Sequence, residues 1–182
     1  MDRLKDRHPD VRLYFLGMKH PNPGVPAMTI AFQTQELSRE LGLTGTHVFF
    51  NEGWVPYGER ADYLLDADVG VSTHFQHIET AFSFRTRILD YLWASLPIVA
   101  TDGDTFGPLI REHGLGRVVP PQDVEALELA LEEMLYDEQV FVRSLRSKRS
   151  ARTVPTRSRV RQASNRLRVV FGSLGPAQSR SP

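Results

Sequence analysis

Apolar runs of strand length alternate with stretches of helical periodicity through most of the chain. Residues 11–17 (VRLYFLG) are rich in β-formers and close at Gly17, ahead of the Pro-rich loop His20-Pro21-Asn22-Pro23-Gly24, as expected of a buried parallel strand and its exit. Residues 27–41 predict a helix that closes at Gly42, and residues 46–51 (THVFFN) predict the next strand. After Gly53-Trp54-Val55-Pro56, a helix over 58–67 leads into a third strand over 68–73 (DVGVST). A helix over 83–95, a strand over 97–101, a short helix over 106–113 ending at Gly114 and a strand over 117–119 follow. Pro120-Pro121-Gln122-Asp123 opens a last helix, with Asp123 as its N-cap and Val124, Leu127, Leu131, Met134 and Leu135 on one apolar face. Strand and helix in strict alternation predict an α/β fold, a Rossmann-like doubly wound parallel sheet.

The pattern fails beyond Leu145. Residues 146–182 are rich in Arg and Ser, and their apolar cluster, residues 167–171, is short. A segment of this composition buries too little surface to offset the entropy of ordering, so a basic, disordered tail is expected, with at most one helix around 160–170. Charge divides the chain at the same place. All 22 acidic residues lie at or before Glu138, whereas 11 of the 22 Lys and Arg lie from Arg143 onward with no acid among them. The expected division is a folded domain over 1–145 and a tail over 146–182.

Composition removes several classes of chemistry. With no cysteine, disulfides and thiolate metal sites are excluded. His74 and His77 have a His-x-x-His spacing, but they sit in a loop without a third ligand or general-base Glu, so no metal is expected. Residues 1–9 are charged and carry no apolar run, and nothing approaches the roughly 18 apolar residues of a membrane span, so the chain reads as cytoplasmic. The tail offers peripheral contact with an anionic membrane at its inner face. It lacks the interleaved aromatics of a single-strand nucleic-acid site, having Phe171 alone.

In open α/β sheets ligands collect at the carboxyl ends of the strands. The connection over residues 72–90 (STHFQHIETAFSFRTRILD) holds the densest set of polar groups able to converge there. On a helix beginning at Ser83, residues Ser83, Thr86, Arg87 and Asp90 form one polar stripe, with Ile88, Leu92 and Leu96 opposite. Arg85 and Arg87, near the positive end of that helix, suit a pyrophosphate, and Asp90 suits a ribose diol. Such a stripe is also what an ordinary solvated helix face looks like.

Residues 68–102, above all Leu89-Asp90-Tyr91-Leu92-Trp93-Ala94-Ser95-Leu96-Pro97-Ile98-Val99-Ala100-Thr101-Asp102, resemble the carboxy-terminal half of glycosyltransferase family 4. Gly114-Leu115-Gly116-Arg117-Val118-Val119, followed by Pro121, Asp123 and Ala126-Leu127, is similar to the last strand and helix start of that family, and the likeness runs in order over 11–135. The resemblance implies one half of a GT-B fold, binding a nucleotide-diphosphate sugar for retaining glycosyl transfer, with no cofactor beyond that donor. It also implies a strand ahead of residue 11 that this chain lacks, and a separate amino-terminal half to contact the acceptor, without which the chain is expected to be inactive.

In that family a Glu, seven residues, Glu signature places the second acid on the donor ribose and the first near the transferred sugar. Aligned here, Asp90 takes the second position and Phe82 the first, so the signature is broken. Glu79 either reaches the same space through a reshaped loop or is a surface residue. The resemblance further implies that Phe84 keeps a family position, that the Trp54–Val55 loop borders the base, with Trp54 either stacked on it or covering the core, and that Arg85 and Arg87 stabilise the departing diphosphate. The alternatives to a transferase are a sugar-nucleotide epimerase of the same architecture, a nucleotide-sugar binding module, and a truncated remnant without activity.

Overall fold

The computed structural model describes residues 1–18, 22, 24, 29–51, 53–82, 84–137, 139 and 167–171, with the side chains of Tyr57, Glu79, Leu167, Arg168 and Phe171 outside the description. In chain order the elements are β1 (Val11–Phe15), α1 (Thr29–Glu40), β2 (Val48–Phe50), a single 3₁₀ turn (Tyr57–Glu59), α2 (Arg60–Asp66), β3 (Val69–Ser72), α3 (Ile78–Ala81), α4 (Thr86–Trp93), β4 (Ile98–Thr101), α5 (Phe106–Glu112), β5 (Gly116–Val119), α6 (Val124–Tyr136) and β6 (Leu167–Phe171). The strands form one sheet in the order β2-β1-β6-β3-β4-β5, and every pairing is parallel. The Rossmann-like α/β fold expected from the alternation is therefore the fold that forms. Among the described residues no helix is long and apolar enough to cross a membrane.

Apolar burial on both faces explains why the strands read as continuous hydrophobic runs. On one face Val11, Phe15, Val69, Val71 and Val99 pack with Leu131, Met134 and Leu135 of α6 and with Leu4. On the other, Leu16, Ile98 and Ala100 pack with Leu64 of α2, Ile88 and Tyr91 of α4, and Phe106 and Ile110 of α5. Asp123 caps α6 as its sequence position predicts, its carboxylate accepting from the Ala126 amide at 2.8 Å. Asp123→Ala is expected to cost about 1 kcal/mol, read as a lower urea midpoint with an unchanged slope.

The carboxy-terminal segment departs from expectation at residues 167–171. The helix foreseen around 160–170 is not what its described part forms: Leu167–Phe171 is an extended strand. It lies between β1 and β3, pairing Val11 with Leu167 and Val71 with Phe171, in the central slot of the sheet. Val169 is buried in one core layer and Val170 in the other, so β6 ties the two faces together. In the doubly wound strand order 3-2-1-4-5-6 this slot belongs to the first strand, so β6 stands where a strand preceding β1 would lie. Residues 146–166 and 172–182 of the expected tail lie outside the described residues.

Candidate functional site

Because all strands run the same way, the connections leaving β2, β3 and β4 share one edge of the sheet, and the polar residues singled out in the sequence lie on them or on the helices they feed. Placement of α4 depends on Tyr91, which is fully buried. Its hydroxyl donates to the Val71 carbonyl at 2.8 Å and to the Val170 carbonyl at 3.3 Å. The ring lies so close to Gly70 that a Cβ there would meet Tyr91 Cγ at 2.6 Å. A glycine in β3 thus lets α4 settle onto the sheet and fixes where its amino end emerges.

The helix starts at Thr86, not at Ser83. Arg85 has extended backbone (φ −86°, ψ 93°) at the N-cap, and the short α3 takes up chain that the stripe argument assigned to a longer connection. Ser83 lies outside the described residues, as does the side chain of Glu79, which is in α3. The buried face of α4 is Ile88 and Tyr91, while Leu92 is half-buried. Thr86 is exposed, and Arg87 and Asp90 are half-buried.

Two constellations result. In the first, Trp54, from the loop after β2, faces Arg60, the first residue of α2, whose guanidinium carbon sits 5.2 Å from the ring centroid. Arg60 Nη1 is also 3.8 Å from Asp90 Oδ2. Trp54, Arg60 and Asp90 thus form a line from an aromatic surface to a carboxylate. Burial pushes the Asp90 carboxyl above its usual range, and Arg60 opposes that shift. Val55 is buried, so its side chain belongs to the core and only its backbone can border a ligand.

In the second constellation, Arg85 Nε lies 3.2 Å from Asp104 Oδ2, and His74 Nε2 lies 3.7 Å from the same oxygen. The N–H of Arg85 is not aligned on that oxygen, so the contact is an ion pair without a hydrogen bond. Asp104 Oδ1 accepts from the amides of Phe106 at 2.9 Å and Gly107 at 3.0 Å. Burial lowers the Arg87 pKa, Tyr91 opposes that, and the like charge of Arg85 adds to it. Two guanidinium groups near one helix start form a field that an anion of two phosphates would neutralise. Phe84 is exposed, with its ring 5.0 Å from that of Phe106.

A family model for group 1 glycosyl transferases matches residues 1–137, a span that contains both constellations. The chain belongs to the group 1 glycosyl transferases. No curated protein matches it. Membership of the group 1 family implies glycosyl transfer between a sugar-nucleotide donor and an acceptor. Sequence reading did not single out Arg60, Asp104 or, outside the metal question, His74. Arg60 carries one readable sign, being the lone Lys or Arg between Arg39 and Arg85. Asp104 carries another, since an Asp just before a helical pattern is a capping signal.

Proposed function

We propose that this group 1 glycosyltransferase chain is a carboxy-terminal, donor-binding domain of family 4 type, which holds a nucleotide-diphosphate sugar during retaining transfer. The base lies along Trp54 and the backbone at Val55. The ribose hydroxyls donate to the Asp90 carboxylate. Arg85 and Arg87 take the diphosphate, with Phe84 toward the sugar. What supports this reading above all is the line Trp54, Arg60, Asp90, which offers an aromatic surface and a carboxylate bridged by one guanidinium at 5.2 and 3.8 Å.

On this reading the diphosphate departs as an anion, and its growing charge is met by preorganised cationic donors at the start of α4. Asp90 orients the nucleotide and moves no proton. The acceptor is contacted by a second, amino-terminal domain, and transfer by these 182 residues alone is not expected.

Calorimetric titration with uridine, guanosine, adenosine and thymidine diphosphates tests the reading. Asp90→Ala is expected to weaken the best of them by about 1–3 kcal/mol; unchanged affinity removes Asp90 from the site. The pH profile supplies a second check. Hydroxyl donors prefer the ionised carboxylate, and burial raises the Asp90 pKa, so affinity is expected to fall as pH drops, at a higher pH than for a solvent-exposed Asp. Arg60→Gln removes the charge that opposes the shift and moves this loss to higher pH. An acid limb that Asp90→Ala leaves unchanged contradicts the assignment.

A further inference from the structure

We propose that Asp104 is a positioning residue for Arg85, holding its guanidinium where a donor diphosphate is met; the proposal rests on the donor-site reading above. Asp104 is an unusual carboxylate for this surface-edge location. Its side chain is 2% exposed, and its two oxygens are used differently. Oδ1 is fixed by the Phe106 and Gly107 amides at the start of α5. That fixes the rotamer of the whole group, so Oδ2 has one available position, and Arg85 Nε lies 3.2 Å from it.

The consequence follows from the shape of guanidinium. Arg85 sits at the extended N-cap of α4 and makes no side-chain capping bond there, so its own helix does not hold the side chain in place. An ion pair through Nε restrains the side chain at its inner end. The two Nη groups stay available as a bidentate fork for phosphate oxygens. Pairing with a carboxylate would ordinarily lower the attraction of an arginine for an anion. Here the pair is built into the scaffold by a helix cap, and the gain is orientation with little entropy lost on binding.

His74 closes the other side. Its Nε2 donates to the Thr101 carbonyl at 3.1 Å and lies 3.7 Å from Asp104 Oδ2, so the ring packs against the same carboxylate and excludes water from it. The connections after β3 and β4 and the start of α4 therefore meet at one buried acid.

Asp104→Asn separates the two uses of the group. Its amide oxygen still caps α5, while its amide nitrogen in place of Oδ2 can no longer attract Arg85. In the full chain, with the tightest-binding nucleoside diphosphate of the panel and its parent nucleoside as probes, Asp104→Asn is expected to weaken the diphosphate about tenfold. Affinity for the nucleoside should be unchanged. In an Arg85→Ala background, Asp104→Asn should have no further effect, an outcome that a purely structural role for Asp104 does not produce. Asp104→Ser keeps a capping oxygen for α5 but carries no charge to attract Arg85, and is expected to lose the same increment, which keeps the test available should Asp104→Asn fold poorly. Unchanged or tighter diphosphate binding by Asp104→Asn, with Arg85→Ala still weakening it, overturns the positioning role and leaves the donor site standing. No binding of any nucleoside diphosphate by the parent chain overturns both.

Discussion

Val169→Asp is expected to lower the thermal midpoint of the chain, followed by circular dichroism, by roughly ten degrees or more, up to loss of the transition. Val169 is 1% exposed in β6 and packs in the core layer that contains Met134 and Leu135 of α6. A carboxylate there is either ionised without a partner or protonated at a cost, and no charged group among the described members of that cluster can compensate it. The penalty is of the order of 4 kcal/mol or more, against a total stability of about 5–15 kcal/mol for an ordinary domain. The strand is also central, so its loss breaks pairing with β1 and β3 together. Removal of residues 167–171 should have the same effect. If Val169→Asp unfolds at the same midpoint and with the same slope as the parent, β6 does not belong to the sheet.

The second large effect is expected from Gly70→Ala. A methyl at this position would meet three carbons of the Tyr91 ring at 2.6 to 2.8 Å, well inside contact distance. The ring is fully buried and its hydroxyl is held by the Val71 and Val170 carbonyls, so it cannot swing aside without leaving both acceptors. Overpacking of this kind costs roughly 3 kcal/mol. The displacement passes to α4, which carries Arg87 and Asp90, so nucleoside diphosphate affinity should fall with stability. Tyr91→Leu in the same chain vacates the clash, and the double variant is expected to be more stable than Gly70→Ala alone. Additive losses in the double variant contradict this account of the contact.

Both predictions concern features that sequence reading reached unequally. The elements from β1 to α6, apart from α3, were legible because each is a local pattern: apolar runs that end in Gly or Pro, and an apolar face behind Asp123. β6 was not. Its run, Leu-Arg-Val-Val-Phe, is interrupted by Arg168 and set among Arg and Ser, and nothing local distinguishes it from a stray apolar cluster. What makes it a strand is the slot between β1 and β3, which is a long-range property of the sheet.

The candidate site divides in the same way. Trp54, Arg85, Arg87 and Asp90 stand out because they follow strand ends, where polar groups gather in any parallel sheet. Arg60 does not stand out, since one arginine at the start of a helix reads as a solvated residue until Trp54 and Asp90 are seen to flank it. Asp104, within Asp-Gly-Asp, reads as a turn residue or a helix cap and no more. Its burial and its partners come from α4 and α5 packing together around it, and spacing cannot reveal that. The start of α4 was misjudged by three residues because α3, a single turn, shortens the connection before it.

Amide chemical shifts of the full chain, recorded while the tightest-binding nucleoside diphosphate is added, test the central claim most directly. The expected perturbations fall at the carboxyl edge of the sheet: at Trp54 and Val55, at Arg60, at His74, from Arg85 to Asp90, and at Gly103 and Asp104. Shifts confined to the opposite edge, at Asp10, His47, Asp68 and Leu115, or none at saturating nucleotide, would contradict a donor site in this domain.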